Sequence, residues 1–117
     1  MAESKRLICA SAELAEGGRG VRFETGSGAD AAPAFVVRFR GEARAYLNRC
    51  GHTPMELDWK PGEFFDVSGL YLICATHGAL FDPATGACLG GRCNGRGLDA
   101  LRMVEENGEV FLIQEGD

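Results

Sequence analysis

A chain of 117 residues that is 45% hydrophobic and 25% charged has the length and composition of a single domain, residues 1–117, with a core of its own. Its longest apolar run, Leu70-Tyr71-Leu72-Ile73-Cys74-Ala75, is far too short to span a bilayer, and the four apolar residues after Arg6 are too few for a secretory signal, so a cytoplasmic protein without a membrane anchor is expected. The net charge of −5 is uneven, with eight basic and six acidic residues in 1–52 against four and eleven in 53–117; this excludes a basic groove for nucleic acid and suits either plain solubility or a surface that steers a positively charged protein partner.

Residues 5–10 and 21–25 read as short strands separated by a turn over Glu13 to Gly20, and Thr25 to Pro33 reads as a surface loop. Ala34 to Arg40 alternates poorly but is rich in Val and Phe. It forms a hairpin with Ala43 to Asn48 about Gly41-Glu42 and leads into Cys50. Leu57 to Gly62 is a turn, and a second hairpin about Ser68-Gly69 joins Phe64–Asp66 to Leu70–Ile73 and leads into Cys74. Trp59, Phe64 and Phe65 are expected in the core.

The chain then turns at Gly78, runs through Leu80-Phe81 and reverses at Asp82-Pro83-Ala84-Thr85-Gly86. Residues 90–97 form a loop. Leu101 to Val104 and Glu109 to Ile113 close a last hairpin on Asn107-Gly108. Seventeen glycines and the repeated order of strand, turn, strand predict an all-β fold, an antiparallel sandwich or barrel with no helix.

Both histidines lie beside a cysteine, in Cys50-Gly51-His52 and, after twenty-one residues, in Cys74-Ala75-Thr76-His77. Thiolate and neutral imidazole are the ligands that soft transition metals and iron-sulfur clusters prefer. Zinc modules commonly group two cysteines and then two histidines, whereas each pair here mixes the two. Mixed pairs suit a binuclear centre in which one iron takes the thiolates and the other the imidazoles, with a mononuclear zinc or iron site as the alternative.

The C-x-H and C-x-x-H motifs resemble those of the Rieske [2Fe-2S] family, with Cys50, His52, Cys74 and His77 matching residue for residue. The resemblance covers roughly residues 34–113, with specific motifs only in 50–52 and 74–82. It implies stacked antiparallel sheets and a small cluster-binding subdomain formed by two loops, 50–55 and 74–82. It also implies one [2Fe-2S] cluster held by those four residues. Respiratory relatives brace their ligand loops with a disulfide, where this chain has Met55 and Thr76. They also place Ser and Tyr hydroxyls after the second histidine, where this chain has Ala79 and Phe81, and many relatives cover the cluster with a proline-containing loop, where this chain has Arg92.

Five cysteines in such a chain do not make a disulfide framework. Cys9, Cys88 and Cys93 are expected as small buried hydrophobes, Cys93 falling in a glycine-rich loop where it could be exposed and oxidisable. With both imidazoles committed to the cluster, the chain holds no histidine for the mononuclear iron of a ring-hydroxylating oxygenase, nor for a nucleophilic triad. The resemblance therefore implies an electron-transfer component rather than an enzyme in itself. It would be a soluble low-potential carrier between a flavin-dependent reductase and a terminal oxygenase or other redox enzyme. The alternatives are a small redox subunit or sensor resembling the small subunit of nitrite reductase, and a Cys2His2 zinc-binding module.

Overall fold

The computed structural model describes residues 3–25, 31–49, 56–58, 60, 62–74, 78–91 and 97–115, and within them the regular structure is strand except for one 3-10 turn, Ser11–Glu13. Strand β1 (Glu3–Ala10) pairs with β10 (Glu109–Glu115), which pairs with β9 (Met103–Glu106). A second sheet has the order β2 (Val21–Thr25), β3 (Ala32–Phe39), β4 (Glu42–Leu47) and β8 (Ala100–Leu101). The third contains β5 (Leu72–Ile73), β6 (Leu80–Phe81) and β7 (Cys88–Gly90). All pairings between these strands are antiparallel.

Strand β3 explains why its sequence alternates poorly. Ala34 to Val37 are all buried because the strand is covered on both faces. Val36 packs with Cys9, Leu14, Ala45 and Val110, the core between the first two sheets. Phe35 and Val37 point the other way, into a core shared with Tyr46, Leu57, Phe64, Leu72, Cys74, Ala79, Phe81 and Leu98. Phe35 and Phe64 stack there with ring centroids 4.0 Å apart, so the third sheet and its loops are seated on the sandwich by aromatic packing.

Polar contacts close the seam between the first two sheets. Arg38 on β3 grips both oxygens of Glu105 on β9, at 2.9 and 2.7 Å, and donates to the carbonyls of Leu14, Gly41 and Ser11. These bonds hold the Glu105 carboxyl down at about 2. Burial pushes the Cys9 thiol beside this seam up to about 11, and it is a free, unreactive core residue as the sequence suggests.

Several boundaries differ from the sequence reading. The first hairpin turns on Arg40-Gly41, one residue earlier than Gly41-Glu42, both residues having positive φ (53° and 79°). Pro33 belongs to β3 and not to the preceding loop; it pairs with Glu24 toward the end of β2. Leu101 does not join the last hairpin: it pairs with Ala45 on β4, and the chain changes sheets at Arg102 before β9 begins. Cys88 is half-buried and disulfide-bonded, not the free buried hydrophobe that the sequence suggests. Gly26-Ser27-Gly28, Trp59, Arg92 and Cys93 also lie outside the described residues.

Candidate metal centre

Of the four expected ligands, Cys74 is described, while Cys50, His52 and His77 lie outside the described residues. What the structure shows is the framework at the base of each loop. Strand β5 ends at Ile73, and Cys74 follows it directly, wholly buried against Leu72, Ala79 and Phe81. Two backbone bonds close the turn after it, from Gly78 N–H to the Cys74 carbonyl (2.7 Å) and from Cys74 N–H to the Ala79 carbonyl (2.9 Å). The second expected ligand loop is thus the connection of the β5–β6 hairpin. Gly78, with φ of 72°, makes the reversal that an L side chain would resist.

The loop expected over residues 90–97 starts, at Gly91, against this turn. A Cβ on Gly91 would come within 2.7 Å of Ala79 Cα and 3.1 Å of the Gly78 carbonyl, so glycine lets the backbone after β7 lie directly on the second ligand loop. Tyr46 joins the same unit to the second sheet. Its hydroxyl donates to the Pro83 carbonyl at 2.7 Å, its ring leaves no room for a Cβ on Gly86, and burial raises its pKa to about 12.

The first expected ligand loop follows β4 and the described residues Asn48 and Arg49, and the described chain resumes at Glu56. Asn48 is fully buried; its Oδ1 accepts the Leu57 N–H (2.8 Å) and its Nδ2 donates to Asp58 Oδ1 (3.1 Å). Asp58 in turn accepts the Gly62 N–H at 2.9 Å and faces Arg22 Nε at 3.4 Å. Sequence reasoning missed Asn48 and Asp58. The available signal was an amide at the end of an apolar strand, two residues before Cys50.

The donor chemistry fits an iron-sulfur cluster. Cys74 is a free thiol, able to bind metal as a disulfide-bonded cysteine is not, and it stands in an apolar, close-packed surround at the end of a rigid strand. The Rieske [2Fe-2S] domain family model matches residues 4–107. The chain belongs to this family. A Rieske domain holds one [2Fe-2S] cluster, and the stacked antiparallel sheets with a small three-stranded unit are the architecture that the resemblance implied.

Solved Rieske structures share the fold. The ferredoxin of Sphingomonas yanoikuyae B1 superposes with a TM-score of 0.74 at 24% identity, over 96% of this chain and all (100%) of the ferredoxin. The ferredoxin of carbazole 1,9a-dioxygenase from Nocardioides aromaticivorans IC177 gives 0.72 at 24% identity, over 93% of this chain and 96% of that one. A complex of reduced oxygenase and oxidized ferredoxin in carbazole 1,9a-dioxygenase contributes a chain with 0.73 at 24% identity, covering 92% and 91%. No curated protein sequence matches the chain.

Proposed function

We propose that this Rieske domain is a one-electron carrier that takes electrons from a flavin-dependent reductase and delivers them to a terminal oxygenase or another redox enzyme. Cys50 and Cys74 would hold one iron of the cluster, and His52 and His77 the other. The observation that carries the reading is the histidine count. A Rieske domain is present, and the chain's two histidines are both used by the C-x-H and C-x-x-H pairs, leaving none within it for a mononuclear oxygenase iron.

The cluster supplies one-electron redox chemistry at a potential raised by imidazole ligation. The residues of the chain do the rest. The buried surround of Cys74 excludes water from its side of the site, and the closed turn from Cys74 to Ala79 fixes the thiol relative to β5 and β6. Similarity to ferredoxins of oxygenase systems, one of them in complex with its oxygenase, supports an oxygenase as acceptor.

Purified protein is expected to contain about two irons and two sulfides per chain and to be red-brown. Cys50→Ser and Cys74→Ser should each lose the cluster absorption, whereas Cys9→Ser should keep it. Stoichiometric zinc in place of iron would overturn the reading.

A further inference from the structure

The two ligand loops are closed at their bases in different ways. Among the described residues, the second is closed by backbone bonds, across the short span from Cys74 to Ala79. The first has to be tied from Asn48 to Leu57, and among the described residues the Asn48 side chain ties it. The Asn48 amide meets the loop's return at two points: the Leu57 N–H at 2.8 Å and the Asp58 carboxylate at 3.1 Å. A backbone donor faces one end of the amide and a carboxylate faces the other, which settles the amide's orientation.

The tie is itself anchored on all sides. The Asn48 N–H donates to the Pro33 carbonyl on β3 at 2.9 Å. Asp58, nearly all buried, uses its second oxygen for the Gly62 N–H, and the Leu57 side chain is fully buried in the same core as Cys74. From the surface, Arg22 on β2 pairs with Glu56 at 2.8 Å and Asp58 at 3.4 Å. The residue two before Cys50 and the residues that receive the chain after His52 are therefore locked to the second sheet and to one another.

We propose that Asn48, held by Asp58, is the positioning residue for the first ligand pair: it fixes both ends of the loop that carries Cys50 and His52 and so sets where those two ligands stand against Cys74. The proposal rests on the ligand reading given above. It demands an amide at 48, because one planar group must accept from an N–H and donate to a carboxylate at once. Leucine has the right volume and neither function. Aspartate would set one carboxylate against another.

The donor and acceptor can be exchanged without changing either size or shape. In the double variant Asn48→Asp with Asp58→Asn, the carboxylate placed at 48 can accept from Leu57 N–H and from the amide placed at 58, whose oxygen still accepts from Gly62 N–H. All three hydrogen bonds are restored.

The test compares wild type, Asn48→Leu, Asn48→Asp and the exchanged double variant, each as holoprotein. Three quantities are read: iron release to a chelator, the electron paramagnetic resonance spectrum of the reduced cluster, and far-ultraviolet circular dichroism. Asn48→Leu and Asn48→Asp should release iron at least about tenfold faster and shift or broaden the g-values, as loss of an outer-shell partner does. The exchanged variant should return both readouts toward wild type.

A residue that merely supports the fold would change thermal stability and leave the g-values of the retained cluster in place, which would overturn the proposal. Wild-type release rates and g-values in Asn48→Asp would overturn it too. If either single variant fails to fold, the exchanged variant decides: folded with a wild-type spectrum it supports the proposal, and folded with a perturbed spectrum it overturns it. The ligand reading fails separately, in the wild type, if that protein carries no [2Fe-2S] signal or if Cys50→Ser keeps it; the positioning role then falls with it.

Discussion

Glu105 shows how much one side chain can contribute when its partner is preset. Arg38 is held in the seam by three bonds to backbone carbonyls and gives two more to Glu105, so the Glu105 carboxylate is stabilised in its charged form and its pKa falls to about 2 from an ordinary 4.5. A carboxylate with a depressed folded pKa contributes stability above its ordinary pKa and loses it as pH falls from there through the folded value. After allowance for partial exposure the pair is worth about 1–2 kcal/mol. Glu105→Gln should therefore melt below wild type at pH 6, and the gap should narrow steadily as pH falls from 4.5 toward 2; a gap that is constant over this range would refute the assignment. A second prediction concerns Ala79 and Phe81, both fully buried beside Cys74. Hydrogen bonds to cluster sulfur favour the reduced state and raise the potential, and neither side chain has a hydroxyl to donate. The midpoint should fall near the low end of the Rieske range, about −150 mV, and decline by about 59 mV per pH unit above the pKa of a ligand imidazole. Protein-film voltammetry between pH 6 and 10 checks both, and a midpoint above zero at neutral pH would contradict the first.

Two tight turns of the same design make a natural comparison between elements. Asn107-Gly108 and Arg40-Gly41 each place a non-glycine residue at φ of 53° before a glycine. Asparagine tolerates that region better than arginine, and at the first hairpin Glu16 helps to hold the turn by accepting the N–H groups of both Arg40 and Gly41, at 2.6 and 2.8 Å. Arg40→Asn should stabilise the fold by about 0.5–1 kcal/mol, less whatever is lost from the guanidinium over the Phe39 ring, as measured by urea denaturation. Tyr46→Phe should do the reverse, leaving the buried Pro83 carbonyl without its donor at a cost of about 1–2 kcal/mol.

These elements also show what the sequence made legible. Asn107-Gly108 and the Asp82 to Gly86 turn are readable because turn chemistry is local, and the Rieske family because the residue order of the C-x-H and C-x-x-H motifs is specific. The Arg40 turn was displaced by one residue because a carboxylate distant in sequence makes an unfavourable residue acceptable. Leu101 reads as part of the last hairpin, and not as a partner of Ala45, because a two-residue strand has no period of its own to read. The Asn48–Asp58 tie, like the Tyr46–Pro83 bond, depends on distances between separate elements, which no motif records.

At the scale of the whole molecule, charge offers one expectation and topology another. The net charge of −5, concentrated in the second half of the sequence, should speed encounter with a basic partner. If the electron donor or acceptor is basic, the second-order transfer rate measured by stopped flow should fall as salt is raised from about 10 to about 300 mM; a rate insensitive to salt would assign the acidic surface to solubility alone. The topology bears on how the protein is made. Within the described residues β1 has one strand partner, β10, in a register running from Glu3 opposite Glu115 to Ala10 opposite Glu109. The strand that leaves the ribosome before the other nine must therefore wait for the last of them. Until residues 109–115 emerge, Cys9 and its neighbours lack the Val110 surface that covers them, and the sandwich cannot close. A ribosome-bound chain stalled before Val110 should remain protease-sensitive throughout, however many of the intervening strands have already emerged.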